Sequence, residues 1–285
     1  MKEFPIPVVG TGAGSAPLEP DFDYMRMPGV EPLRNPIPPE DAAPTELQAA
    51  AAVVEQLLEA MERHEPGGDG APRFSLKAMA AGALRALNES LGQGEVSAIV
   101  SSNGSAPWLV QETAFAGVWR VRRENGRGAI VDDILEAGRM PQVVREAAAQ
   151  VAGARLDARQ LPAGVMNAPA IVEELRHHAQ RHRPGQPAHV VNLSLLPLTP
   201  EDHAALDAVL GEGPVAILSR GFGNCRVAAT RARDVWRVRY YNAMNTLILD
   251  TIEVVDLPES ARADAEDYAD SIGRLRDLLA WLREG

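Results

Sequence analysis

The chain is short of cysteine, of aromatic residues and of positive charge. Its 285 residues include one cysteine, Cys225, so no internal disulfide can form. That argues against a small disulfide-stapled scaffold and for a reducing, cytoplasmic setting. A single thiolate also cannot cage an iron–sulfur cluster, which takes four ligands. Lys and Arg number 28 against 39 Asp and Glu, a net charge of −11. This argues against nucleic acid or anionic membrane as a partner, since both need a basic face, and it favours a basic partner. No apolar run approaches the roughly 20 residues of a membrane span, so no membrane insertion is expected. Glu3 and Pro5 stand where a secretory signal needs positive charge and then an apolar core.

What the chain does contain is a repeat. Val118-Trp119-Arg120-Val121-Arg122 returns as Val235-Trp236-Arg237-Val238-Arg239. The flanks agree: Leu91-Gly92-Gln93-Gly94 is answered by Leu210-Gly211-Glu212-Gly213, and Ile130-Val131-Asp132-Asp133-Ile134 by Ile248-Leu249-Asp250-Thr251-Ile252. A proline, Pro141 or Pro258, then opens an Ala- and acid-rich helix in each copy. Self-similarity of this kind marks a duplicated structural unit.

Residues 1–44 hold ten of the 22 prolines. Such density forbids helix and removes strand donors, so an extended, PPII-like tail is expected. Its Gly10-Thr11-Gly12-Ala13-Gly14-Ser15 lacks the strand, helix and Lys of a phosphate loop and reads as linker. Phe22, Tyr24 and Met25 are too apolar for a pure linker and are candidate partner anchors. Thr45 suits an N-cap for a helix to about His64, and a second helix is expected from Ser75 to about Leu91. Strands follow near 95–101, 106–113, 117–123 and 128–136, with Asn103-Gly104 and Asn125-Gly126 as hairpin signals. The second unit reads alike: helices near 168–182 and 200–210, and strands near 214–219, 224–230, 234–241 and 246–254. A strand over 189–196 has no clear counterpart in the first. The last helix, about 259–283, places Tyr268, Ile272, Leu275, Leu279 and Leu282 on one seam and is expected to pack on its own sheet.

The fold expected is α+β. Two tandem repeats, 45–153 and 154–285, each form a mainly antiparallel sheet flanked by helices. They are related by a pseudo-two-fold axis and follow an extended proline-rich tail over 1–44. In each repeated strand Trp and the second Val share one face, while the first Val and both Arg share the other. The expectation is an apolar face under the helices and a face carrying Arg120, Arg122, Arg237 and Arg239, which can meet acidic or backbone groups if it lies open or in a cleft.

Chemistry is sparse. Arg220 and Arg226 flank Cys225 and could lower its thiol pKa; a small buried apolar residue is the plainer reading. His178 and His182 stand at i, i+4, but Arg176, Arg181 and Arg183 crowd them and no close carboxylate completes a metal set. Asp132 and Asp133 point to opposite faces of one strand, which defeats a carboxylate dyad. No nucleophile, base and orienting group can be assembled. No catalytic, cofactor or metal residues are therefore assigned, and the chain is not read as an enzyme.

The second unit resembles a known family. Asn192-Leu193-Ser194-Leu195-Leu196-Pro197-Leu198-Thr199-Pro200-Glu201-Asp202-His203, Leu218-Ser219-Arg220-Gly221-Phe222-Gly223-Asn224-Cys225-Arg226 and Val235-Trp236-Arg237-Val238-Arg239-Tyr240-Tyr241-Asn242 are similar to the hydrogenase expression/formation proteins called HupH, HyaF or HoxQ. The resemblance implies a cytoplasmic, non-catalytic accessory protein without a cofactor, which assists the iron–sulfur small subunit of a [NiFe] uptake hydrogenase before export. The implied partners are the small-subunit precursor, with its basic leader, and other maturation proteins. Two rivals stay open: a redox or metal/cluster-transfer factor using Cys225, and a plain adaptor for other maturation factors. Candidate partner-binding residues are Phe22, Tyr24, Met25, Asn224, Cys225, Arg226, Arg237 and Arg239.

Overall fold

The computed structural model describes residues 35–37, 39, 41–64, 70–102, 104–220 and 224–284. Phe22, Tyr24 and Met25 lie outside the described residues.

Helix α1 (Pro44–Arg63) buries the stripe Leu47, Ala50, Ala51, Val54, Leu57, Leu58 and Met61 that its periodicity requires. Its cap differs from the expected one. Ala43 is the N-cap and Pro44 takes the first helical position, where a missing N–H costs nothing. The Glu46 carboxylate accepts from the Ala43 N–H at 2.9 Å. The next helix starts later than the sequence suggests. Arg73–Ser75 is a short strand, β1, and helix α2 runs only over Ala81–Leu91. Strands β2 (Val96–Ser102), β3 (Ser105–Glu112), β4 (Val118–Glu124) and β5 (Ile130–Ala137) follow, and then α3 (Gln142–Ala149). The reason for β1 is non-local: Phe74 pairs with Leu135 of β5.

The second half runs α4 (Ala168–Arg181), β6 (His189–Asn192), α5 (Pro200–Leu210), β7 (Glu212–Ser219), β8 (Asn224–Thr230), β9 (Val235–Tyr241), β10 (Leu247–Val254) and α6 (Ala265–Glu284). Strand β6 stops four residues early because the Asn192 side chain accepts from the Ser194 N–H and caps a 3-10 turn. Helix α5 begins as expected, with the Thr199 hydroxyl accepting from the Asp202 N–H at 3.1 Å. Asp202 itself is buried. Burial alone would raise its pKa, but the backbone N–H groups of Ala168, Thr199, Met166 and Asn167 overrule this and hold it at about 2. That carboxylate ties the start of α4 to the start of α5.

The ten strands of the described residues form one antiparallel sheet, in the order β1-β5-β4-β3-β2-β7-β8-β9-β10-β6. The halves meet where β2 pairs β7, with Ala98 opposite Ile217. Read outward from that seam, each half has the same strand sequence. Strand β6, for which no counterpart was expected, holds the place that β1 holds in the first half.

The repeated pentapeptides take matching places. Trp119 and Trp236 are fully buried. The Trp119 indole N–H donates to the Gly138 carbonyl at 2.8 Å, and that of Trp236 to the Val255 carbonyl at 3.0 Å. Each hairpin closes on an Asn. Asn125 accepts from the N–H groups of Arg127 and Ala129, and Asn242 from those of Met244 and Thr246. Gly94 and Gly213 are glycine for one reason: a Cβ there would meet the carbonyl oxygen of Thr113 at 2.2 Å or of Thr230 at 2.4 Å.

Both faces of the sheet are covered, so the Arg face does not lie open. The Trp face carries one apolar cluster crossing the seam, including Val121, Val238, Ala98 and Ile217, under Val144 and Ala148 of α3 and Ala261 of the 3-10 turn Glu259–Ala261. The Arg face lies under the other helices. Val118, Leu135 and Ala137 pack with α1 and α2, while Val235, Ile252 and Val254 pack with α4 and α5. Arg120 is clamped by Asp133 and by Asn88 of α2. Arg237 holds Asp250 at 2.5 Å.

Helix α6 corrects a further expectation. Its seam does not lie on its own half. Tyr268, Leu275, Leu279 and Leu282 join the cluster of α1 and α2 in the first half. Arg276 pairs with Glu62 at 2.6 Å and Arg283 with Glu55 at 2.5 Å. The expected start at 259 is also too early: residues 259–261 form the 3-10 turn and the helix begins at Ala265. Among the described residues no helix is long and apolar enough to cross a membrane.

A candidate functional site at the seam of the sheet

One rung of the Trp face runs across the seam at the end of the sheet. Val96 of β2 stands opposite Ser219 of β7, Ser219 opposite Cys225 of β8, and Cys225 opposite Tyr240 of β9. Glu112 of β3 is on the same face, opposite Trp119. This rung floors a cleft of about 560 Å³. Glu259 and Ser260 of the 3-10 turn, Arg262, Asp264, and Asp267 and Arg274 of α6 wall it in. Residues from both halves therefore build it, and α6 adds its wall only because that helix crosses to the first half.

The cleft is acidic. Glu95, Glu112, Glu259, Asp264 and Asp267 face Arg262 and Arg274. Both guanidiniums are engaged: Arg262 pairs with Glu259 at 3.1 Å, and Arg274 donates to the Ala114 carbonyl while lying over the Phe115 ring at 4.9 Å. Glu112 is the unusual group. Burial pushes its pKa up to about 7, Glu95 and Asp267 add to the rise, and the N–H groups of Gly117 and Val96 offset it in part. A carboxyl that loses its proton near neutrality, inside an acidic cleft, favours the arrival of a cation.

The sequence-picked residues fare unevenly. Cys225 lines the cleft but is 4% exposed. Burial pushes its thiol up; the hydroxyls of Ser260 and Tyr240 oppose this only in part. The plainer reading, a small buried residue, fits Cys225, and neither Arg220 nor Arg226 is among the groups that lower its thiol. Arg226 lies on the opposite face, over the Tyr241 ring at 4.8 Å. Asn224 donates to the Asn245 side chain at 3.2 Å. Arg237 is buried against Asp250, and Arg239 sits between Asp207 at 3.4 Å and Asp250 at 3.5 Å. Arg237 and Arg239 serve the Arg face under α5 and do not reach the cleft. Asp132 and Asp133 do diverge, to Arg123 and Arg120.

The histidines separate in an unexpected way. His182 turns inward and meets Asp256 at 2.7 Å. His178 instead stacks on His189, and Glu174 joins them, so a close carboxylate does complete a set. Burial, His189 and His177 together lower the His178 pKa. The residues that sequence reasoning missed are Glu112, Glu95, Asp264 and Asp267. One signal could have found Glu112: in the register of the repeated Trp, the first copy has Glu112 where the second has Ala229.

Comparison with known proteins places these observations. A model of the HupH hydrogenase expression protein, C-terminal conserved region, matches the chain twice, over residues 47–161 and 165–282. The chain is 42% identical to the hydrogenase expression/formation protein HoxQ of Cupriavidus necator, with 99% of each chain covered. It is 43% identical to the hydrogenase expression/formation protein HupH of Rhizobium leguminosarum bv. viciae, over 67% of this chain and 68% of that one. It is 34% identical to the hydrogenase-1 operon protein HyaF of Escherichia coli, over 70% of this chain and 69% of that one. With two matched segments spanning most of its length and relatives of this similarity, the chain belongs to the HupH family of hydrogenase expression/formation proteins.

Proposed function

We propose that the chain is a non-catalytic, cytoplasmic maturation factor that holds the iron–sulfur small-subunit precursor of a [NiFe] uptake hydrogenase before export. The observation that carries this reading is the acidic seam cleft with its buried Glu112 carboxyl. An acidic cleft suits a basic client segment, and complementary charge raises the rate of encounter. The names of its relatives support a role in hydrogenase formation. A thiol-transfer role finds less support, because the Cys225 thiol is buried and pushed away from the thiolate.

In this reading the body consists of repeats 45–153 and 154–285 about a pseudo-two-fold axis between β2 and β7, and other maturation proteins are further partners. The proline-rich tail, 1–44, adds Phe22, Tyr24 and Met25 as anchors, because such segments dock at little ordering cost. The test is the association rate of the purified precursor with the full chain, with a chain lacking residues 1–40, and with Asp264→Lys/Asp267→Lys. Each variant should bind more slowly or more weakly, and high salt should slow the wild type. Unchanged binding in the double variant would overturn the cleft as the client site.

A further inference from the structure

Outside the seam, the second half brings together three side chains that the chain keeps apart in sequence. Glu174 and His178 lie one turn apart on α4, so they share a helix face. His189 opens β6, where it pairs with Val254 of β10. The fold returns it to that face of α4. The His178 and His189 rings stack with centroids 3.4 Å apart and planes 3° apart. His189 Nε2 meets Glu174 Oε1 at 2.8 Å. One ligand atom from each residue lies within 4.8 Å of the other two.

We propose that Glu174, His178 and His189 form a binding site for a divalent transition-metal ion of the borderline class, such as Zn²⁺ or Ni²⁺. Two imidazoles and one carboxylate are the donor set that class prefers. Bonds of about 2.0–2.2 Å to each donor need donor separations of a little over 3 Å, and an imidazole binds in its own ring plane, so the His178 and His189 rings turn out of their stack as the donors close on the ion. The cluster stands at the surface, with His189 and Glu174 side chains 30% and 46% exposed, so an ion can reach it. Three protein ligands leave coordination positions for water or a partner's side chain, the pattern of an exchangeable site.

The neighbouring cations do not fill the site. Arg176 pairs with Glu173 at 2.6 Å, and Arg181 contacts His177. His182 is spoken for by Asp256. Without an ion, the same contacts amount to a His189–Glu174 pair with His178 stacked beside it, and the two readings differ in what they bind.

The experiment uses the full chain without a histidine tag, stripped with a chelator and titrated with ZnCl₂ and with NiCl₂ by calorimetry. One equivalent of at least one ion should bind. Affinity should fall at least tenfold in each of Glu174→Gln, His178→Ala and His189→Ala, and should be unchanged in His203→Ala. Circular dichroism should show all four variants folded; Glu174→Gln, the mildest change, decides the matter if an alanine variant is not. A parallel titration with Co²⁺ should give a visible absorption band in the wild type that Glu174→Gln shifts or weakens. Absence of saturable binding at one equivalent, or binding retained in the folded His178→Ala/His189→Ala variant, overturns the site.

Discussion

Glu112→Gln isolates the charge that the seam cleft buries. Glu112 is 7% exposed, and burial holds its pKa at about 7, against 4.5 for an ordinary Glu. Below pH 4.5 the folded and unfolded chains both hold the proton, and the site adds no pH dependence. Between 4.5 and 7 the unfolded chain loses it while the folded chain keeps it, so stability falls as pH rises. Above 7 both states are charged and the loss is complete. At about 1.4 kcal/mol per pH unit the loss amounts to about 3 kcal/mol. Gln stays neutral throughout and can still accept from the Gly117 N–H, which Glu112 does at 3.1 Å. The variant should therefore match the wild type at pH 4 to within about 1 kcal/mol, the worth of an altered hydrogen bond. At pH 8 it should be more stable by about 2–3 kcal/mol. Urea denaturation at closely spaced pH values measures the difference directly. Glu136 and Glu253, whose pKa values burial also raises, are present in both proteins and cancel. Stability curves that run parallel from pH 4 to 8 would refute the reasoning.

Three further outcomes are expected. Trp119→Phe and Trp236→Phe each leave a buried carbonyl without its indole donor, and each should cost about 2–3 kcal/mol in denaturant midpoints; a cost in one copy less than a third of that in the other would break their equivalence. Arg237→Met takes from the buried Asp250 carboxylate its closest ion pair, leaving that with Arg239 at 3.5 Å, and should cost about 3 kcal/mol, partly recovered in Arg237→Met/Asp250→Leu. Cys225→Ser should fold with a loss of about 1 kcal/mol, since Ser260 and Tyr240 can bond the new hydroxyl, and should reduce hydrogenase maturation in cells only modestly; complete loss of maturation with normal stability would restore the thiol-transfer reading.

The four central strands of each half were legible because their signals are local. Alternation, the Asn-Gly hairpins and a repeated Trp place them almost to the residue. The larger failures share one physical cause, which is partner choice at long range. Arg73-Phe74-Ser75 carries no strand signal of its own and becomes β1 only because β5 offers an edge. The seam of α6 told of a helical partner without saying which, and α1 answers it from more than 200 residues away. Whether the Arg face lies open was not legible, because the sequence hides which face the helices choose. Asp133 and Asp250, the buried counterions, were visible as residues but not as cross-strand partners of Arg120 and Arg237. The site was less legible than the fold. Cys225 was found, but the five carboxylates around it come from three separate stretches, at Glu95, at Glu112 and over 259–267, that only the fold unites.

Duplication offers one more way to locate function, through the places where the copies disagree. The residue opposite the repeated Trp is Glu112 in the first half and Ala229 in the second. Two rungs along the same face, Arg123 faces Trp108 where Tyr240 faces Cys225. Arg123 lies over the Trp108 ring at 4.5 Å, and Trp108 lines a separate cleft with Glu212, Gly213 and Arg231 across the seam. Matching strands thus present a buried acid and a thiol at one cleft, and an aromatic ring under a guanidinium at the other. Packing alone does not ask for this, because the core positions around the two Trp residues stay alike. A buried carboxyl costs stability at neutral pH, and its counterpart shows that alanine fits the same register. Glu112→Ala should accordingly fold, with a stability gain at pH 8 that a small cavity partly offsets. It should also slow or weaken association with the basic precursor, because the cleft then lacks the carboxylate that a cation would draw into its charged form. Wild-type release of a proton on binding near pH 6.5, measured by calorimetry in two buffers of different ionisation enthalpy, should vanish in the variant. A folded Glu112→Ala chain that binds the precursor with unchanged affinity and unchanged proton release would show that the acid is a relic of divergence and that the client sits elsewhere.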